Sequence, residues 1–173
     1  MNGLPRIAAL ALPALALASC ASTHLVQAWR DPNYQPAPVR RVFVVAVVPD
    51  PQYRVSFENG IAHSLLSRGF EVATSSGVFP PDQLEDAKVE AYVREMNVDL
   101  VVVQRLGPYD GGYGYGGYGR VVADTNVYAA KNPEVPVWSG SSTTINYSTA
   151  EEAAASAAAS LVYDLINAHI LVH

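Results

Sequence analysis

The sequence predicts an α/β fold: a mixed five- or six-stranded sheet with about three helices, ordered β-α-β-α-β, then a β-hairpin, then a C-terminal α-helix. Three observations predict it. Residues 41–48 (RVFVVAVV) and 99–106 (DLVVVQRL) are apolar runs rich in β-branched residues, the pattern of strands buried on both faces. Apolar residues between these runs recur at helical spacing. Beyond them, two extended stretches precede an alanine-rich run whose larger apolar residues again fall at helical spacing.

Each element has its own signal. The strand over residues 41–48 ends at Pro49-Asp50-Pro51. Phe57, Ile61 and Leu65, with Ala62 and Leu66 beside them, make one face of a helix over residues 53–68, closed by Gly69 at the C′ position. Residues 70–74 form a short strand. Pro80-Pro81-Asp82 opens a second helix over residues 82–96, with Leu84, Val89, Tyr92, Val93 and Met96 available to pack. The strand over residues 99–106 completes a βαβαβ half, which calls for parallel strands joined by right-handed crossovers. Residues 120–130 then alternate Val121, Ala123, Thr125 and Val127 against Val122, Asp124, Asn126 and Tyr128. A turn at Lys131-Asn132-Pro133 leads to a second extended stretch over residues 135–146, interrupted by Gly140. Ser148 or Thr149 is the N-cap of the last helix, with Glu151 or Glu152 at capping-box spacing. That helix carries Leu161, Val162, Leu165, Ile166 and Ala168 on its core face and runs to about residue 170.

The start of the chain has a different character. Arg6 and the free amine precede a twelve-residue uncharged run, residues 7–18 (IAALALPALALA). A helix of that length rises about 18 Å, short of the ~30 Å hydrocarbon core, so it reads as a secretory signal rather than a membrane span. The run closes Leu17-Ala18-Ser19-Cys20, which resembles the lipobox of bacterial lipoprotein precursors. In that class the cysteine sulfur takes diacylglycerol and the chain is cut before it. The expected organisation is a signal peptide over residues 1–19, a lipidated Cys20 with a proline-containing tether over residues 20–40, and a periplasmic α/β domain over residues 41–173. Acyl chains on Cys20 would hold the protein on a membrane without a spanning helix. Ala21, where an Asp would favour inner-membrane retention, points to the outer membrane of a Gram-negative envelope. Within the tether, residues 23–30 have the pattern of a short edge strand, and Trp29 is expected to dock on the domain.

Composition excludes some function classes. Cleavage before Cys20 leaves ten Lys and Arg against sixteen Asp and Glu, an acidic domain whose only basic pair is Arg40-Arg41; nucleic acid is not an expected partner. Cys20 is the only cysteine, so no disulfide supports the fold.

No catalytic constellation stands out. Residues 107–119 (GPYDGGYGYGGYG) hold two overlapping matches to the dinucleotide fingerprint, Gly112-x-Gly114-x-x-Gly117 and Gly114-x-Gly116-x-x-Gly119. The fingerprint requires a following helix to receive the pyrophosphate, and here a strand follows. The segment reads either as a plain connection or as a partner-binding loop in which Tyr109, Tyr113, Tyr115 and Tyr118 offer amphipathic rings. His169 and His173 share a helical spacing, but no carboxylate or cysteine completes a metal set; no metal or other cofactor is expected. Ser139-Gly140-Ser141-Ser142 lacks the strand-to-helix nucleophile elbow and reads as a Ser/Thr-rich edge strand. Glu151-Glu152 suits a helix N-terminus better than a catalytic pair.

Several short marks occur in a telling order: Trp29-x-x-Pro32-x-Tyr34, the strand from Phe43 to Val48, and Arg54-x-x-Phe57-Glu58 leading to Leu65 and Gly69. Thr125-Asn126-Val127-Tyr128 and Val137-Trp138-Ser139-Gly140 follow. Together they resemble a family of bacterial lipoproteins built on a domain of unknown function, distantly similar to the TolB N-terminal domain and to curli-secretion lipoproteins. The resemblance implies an α/β fold and an envelope location, with no activity attached. The expected function is a membrane-anchored, non-catalytic binding or assembly module, with membrane lipid through acylated Cys20 and an envelope protein or glycan as partners. The alternative is a periplasmic hydrolase acting on cell-wall or lipid substrates, which a pocket joining His63 to Asp or Ser side chains would favour.

Overall fold

The computed structural model describes residues 21–48, 50–80, 83–107 and 119–173. They form β1 (Ser22–Arg30), β2 (Arg41–Val47), α1 (Pro51–Leu66), β3 (Glu71–Thr74), the single turn α2 (Ser75–Val78) and α3 (Asp86–Glu95). β4 (Leu100–Leu106), β5 (Gly119–Ala129), β6 (Trp138–Tyr147) and α4 (Ala150–Asn167) follow. One six-stranded mixed sheet has the order β1-β6-β5-β4-β2-β3. β2 runs parallel to β3 and β4, and the remaining pairs are antiparallel.

Alternation along the strands explains why β2 and β4 are apolar throughout. Val42, Val44, Leu100 and Val102 face α1 and α4, packing with Ile61, Leu65, Ala158, Leu161, Val162 and Leu165. Phe43, Val45 and Val101 face the other way, toward Val89, Tyr92 and Val93 of α3. Phe57, Ile61 and Leu65 are essentially inaccessible, and burial at this level contributes about 1.5–3 kcal/mol per side chain. α1 and α4 cross so closely that a Cβ on Gly60 would lie 2.9 Å from the Ala154 carbonyl oxygen.

Helix ends are set by local hydrogen bonds, and some of them differ from expectation. α1 begins at Pro51 because the Asp50 carboxylate accepts the Gln52 N–H and proline suits the first helical position. Gly69 takes φ +90°, as its C′ role requires. α3 opens only at Asp86, and ahead of it Gln83 N–H donates to the Pro80 carbonyl; the expected start at residue 82 lies outside the described residues. α4 is capped by Thr149, whose hydroxyl accepts the Glu152 N–H, while Glu152 accepts the Ser148 N–H. It stops at Asn167, and His169 lies past its end with φ 55°. β6 starts at Trp138 rather than residue 135, so the connection from β5 spans residues 130–137.

The largest difference concerns the chain ahead of residue 41. The edge strand expected over residues 23–30 is present as β1, nine residues paired antiparallel with β6 and bulged between Leu25 and Gln27. Asp31 N–H then donates to the Val137 carbonyl, and Val39 N–H to that of Val172, so the stretch between β1 and β2 also lies along the domain. β1 displaces β6 from the edge position expected of it. Trp29 does not dock as expected and remains 46% exposed. It pairs with Ser139 on the sheet face opposite α4, where no described helix reaches.

Candidate interaction surface

Ligands of open α/β sheets gather at the carboxyl ends of the parallel strands, where successive connections leave to opposite faces. Here α1 leaves β2 toward one face, while α2 and α3 leave β3 toward the other. The crevice between them is filled by the protein's own side chains. Glu58 Oε1 accepts the Ala46 N–H at 2.8 Å and the Ser75 hydroxyl at 2.5 Å, and Oε2 accepts the Ser76 N–H at 2.6 Å. Arg54 donates from Nε to Glu58 at 3.4 Å, and from Nη2 to Ser75 Oγ at 3.0 Å and the Phe79 carbonyl at 3.3 Å. The Glu58 side chain is 0% exposed and that of Arg54 6%. A charge pair sealed in this way braces α1 against β2 and α2, and its groups are closed to a substrate. In the sequence Arg54 and Glu58 stand only as marks of a resemblance. Two charges on the same helix face as Ile61 and Leu65 were the signal that a buried pair was present.

The outer side of α1 and α4 carries an open groove lined by Val55, Ser56, Asn59, Gly60, His63, Ser64 and Ser67 together with Glu151, Ala155 and Ala159. His63 is thus brought near serines, as a hydrolase would need, but the hydroxyls bond elsewhere. Ser56 Oγ donates to the Gln52 carbonyl and to Glu151, each at 3.1 Å, and Ser67 Oγ donates to the Ser64 carbonyl at 2.9 Å. Ser64 Oγ accepts from Arg68 at 3.0 Å. Among the described hydrogen bonds none joins His63 to a serine, which is the pairing nucleophile activation requires. The carboxyl of Glu151 sits below its ordinary range because of its own backbone N–H first and the Ser56 hydroxyl second.

The other expected chemical groups also resolve into structure. Ser139, Ser141 and Ser142 lie inside the sheet in β6, with Ser139 Oγ donating to Asn126 Oδ1 at 2.7 Å. His173 stacks on Phe70 and hydrogen-bonds the Arg68 carbonyl, away from any shared site with His169. No metal-ligand cluster occurs among the described residues. Arg30 lies over the Tyr34 ring and donates to its carbonyl, tying the start of the β1–β2 connection. Cys20 and Tyr109, Tyr113, Tyr115 and Tyr118 lie outside the described residues, as do residues 1–19 and Gly112, Gly114, Gly116 and Gly117 of the glycine motifs.

Among the described residues, part of the far side of the sheet is left open. The cluster beneath α3 draws on β2, β3, β4 and β5. The same face of β6 and β1, carrying Ser139, Ser141, Thr143, Gln27 and Trp29, has no described helix over it. Val26, at the bulge, is 68% exposed, and the outer backbone edge of β1 pairs with no described strand. On the opposite face, Leu25, Trp138, Ser142, Leu161 and Asp164 line a small pocket beneath β1. Burial pushes the Asp164 carboxyl up, and the Ser160 hydroxyl offsets this in part.

The molecule is therefore of the α/β class, with a mixed sheet, α1 and α4 on one face and α2 and α3 on part of the other. No family model matches the chain, and no curated protein matches it in sequence. Among solved structures it is similar to the PelC dodecamer from Paraburkholderia phytofirmans: 17% identity, covering 88% of this chain and 99% of that one, with a TM-score of 0.58. It is less similar to lipoprotein GNA1162 from Neisseria meningitidis (18% identity, 75% and 96% covered, TM-score 0.49). The figures for TolB from Acinetobacter baumannii are 12% identity, 85% and 31% covered, and a TM-score of 0.38. What the chain has in common with PelC at this identity is the fold.

Proposed function

We propose that this protein is a bacterial lipoprotein, cleaved after a signal peptide of residues 1–19, acylated on Cys20 and held on the outer membrane facing the periplasm. There it acts as a non-catalytic binding or assembly module. The observation that carries this reading is the contrast between a sealed crevice and an open surface. The Arg54–Glu58–Ser75 network fills the usual ligand position, while among the described residues no strand pairs with the β1 edge and no helix covers the adjoining sheet face. Unpaired strand edges accept a further strand, and an exposed Trp beside Ser and Thr hydroxyls suits a protein or glycan surface.

Copies of the same chain are the first partners to consider, because the PelC of similar fold is described as a dodecamer. The tyrosine-rich segment is the second recognition element in this proposal, through Tyr109, Tyr113, Tyr115 and Tyr118. No cofactor or metal enters it. The rival reading, a hydrolase of cell-wall or lipid substrates, draws on the His63 groove, and the engaged serine hydroxyls there weigh against it.

The test is cross-linking in whole cells, followed by mass spectrometry, of the intact protein and of a variant lacking residues 111–118. Gly119 is kept because it belongs to β5 and packs against the Tyr147 ring. Specific envelope partners, or ladders of the chain itself, are the expected result. Monomeric protein without partners in both variants overturns the binding reading. Cys20→Ala tests the anchor separately: it moves the protein from the membrane to the soluble fraction, and persistence in the membrane fraction counts against lipidation.

A further inference from the structure

The lipid anchor and the folded domain are almost contiguous. In the cleaved chain proposed above, Cys20 alone would precede Ala21, and Ala21 is already part of the domain. Its side chain packs against the cluster formed by Ala46, Phe57, Leu106, Val121, Ala123, Tyr147, Ala153, Ala154 and Ala157. The Ala21 carbonyl accepts the Ser156 hydroxyl of α4 at 3.3 Å. Thr23 Oγ1 shares hydrogen bonds of 2.8 Å with both Thr144 and Ser156. Ser22 is in register with Ile145 of β6. An extended chain covers at most about 7 Å in two residues, so an acylated Cys20 lies within that distance of Ser22.

Topology decides what else is at that end. β6 and β5 are paired so that Tyr147 meets Gly119, and β4 finishes where Leu106 meets Ala123. β2 finishes beside β4, at Val47 opposite Arg105. Thus the start of β1, the finishes of β2, β4 and β6 and the start of β5 share one end, as do the N-termini of α1 and α4. Gly107 and Gly119, which bracket the tyrosine-rich segment, belong to it too. The opposite end carries Val135 and the β5–β6 connection.

Resting on the lipid-anchor reading above, we infer that this shared end lies directly against the lipid headgroups, with no flexible tether to let the domain stand off or tumble. The occupant of the surface is the bilayer that holds the acyl chains, since a chain fastened at Ala21 has no slack with which to turn another end toward it. Charge does not select the end, which carries exposed Arg105 and Arg120 as well as Glu151 and Glu152. The connection selects it. One consequence is that the β1 edge and the open sheet face stand upright from the membrane. Copies anchored in the same leaflet therefore present these surfaces to one another in a common orientation.

The test uses the full lipidated protein in vesicles of phosphatidylethanolamine and phosphatidylglycerol carrying a nitroxide-headgroup lipid as quencher. Cys20 is the only cysteine, and in the anchored protein its sulfur carries the acyl chain, so an introduced cysteine is the only free thiol for a fluorophore. Ser148→Cys labels the proposed membrane end, with Arg120→Cys as a second site should the first disturb α4. Val135→Cys labels the opposite end, about 30 Å away along the ten residues of β6. Severalfold stronger quenching at residues 148 and 120 than at 135 is expected. A ten-residue Gly/Ser insertion between Cys20 and Ala21 is expected to abolish the difference. Equal quenching at both ends in protein that floats with the vesicles overturns this inference and leaves the anchor standing. Protein that does not float with vesicles overturns the anchor and the inference with it.

Discussion

Ser75 gives its hydroxyl proton to Glu58 Oε1 at 2.5 Å while its oxygen receives Arg54 Nη2 at 3.0 Å, so one small side chain joins the two charges of a buried pair. Removing one charge leaves the other unpaired in the interior, a loss of about 3–5 kcal/mol. Arg54→Ala is expected to lower stability by that amount in urea unfolding of the soluble domain. Replacing both charges with apolar residues, Arg54→Met with Glu58→Leu, should cost less than either single loss. A double variant as unstable as Arg54→Ala would mean that the network matters for more than charge balance.

The contact between Gly60 and Ala154 sets the approach of α1 and α4. Any side chain at position 60 meets the Ala154 carbonyl oxygen or displaces α4. Gly60→Val is expected to destabilise by about 1–3 kcal/mol, as overpacking does. Asn59→Ala, one residue away and exposed, should fall within about 0.5 kcal/mol of the parent. Denaturant midpoints of the two variants make the comparison.

Asp164 supplies a pH-dependent term. The pKa of its carboxyl is raised by burial, and its buried Oδ2 atom has no hydrogen-bond partner among the described residues. The folded state therefore favours the protonated form more than the unfolded state does. This contribution favours folding at low pH and is lost as pH rises through the raised folded value. Asp164→Asn should accordingly raise the melting temperature at pH 7 and change it little near pH 4. The reverse order would show that the charged form is the one the pocket favours.

Trp29 and Val26 lie on the surface proposed to meet a partner, and neither supports the core. Trp29→Ala is expected to leave the unfolding midpoint nearly unchanged but to weaken association by about 2 kcal/mol if this ring anchors the interface. Val26→Lys places a charge on the strand edge and should oppose edge pairing. Sedimentation of the acyl-free domain over a concentration series reads both effects. An association unaffected by either substitution would remove β1 from the interface.

Much of this organisation is legible in the amino-acid sequence because it depends on local chemistry. The β-branched runs of β2 and β4 must be buried on two faces, and the spacing of Phe57, Ile61 and Leu65 must form a helix stripe. Thr149 with Glu152 and Gly69 mark helix ends through hydrogen bonds that span a few residues. The fold class follows from these signals. The order of the strands does not, because pairing β1 with β6 joins residues more than a hundred positions apart, and no local pattern encodes that distance. The same long-range pairing gave the edge strand expected over residues 23–30 its partner, moved the serine-rich strand inward and left Trp29 in the open. Tertiary structure alone also brought Arg54, Glu58 and Ser75 together, since a buried ion pair depends on what closes over it. By itself the sequence determined the elements, through periodicity and capping. The folded chain decided which surfaces are sealed and which remain available, because burial is a property of the whole packing.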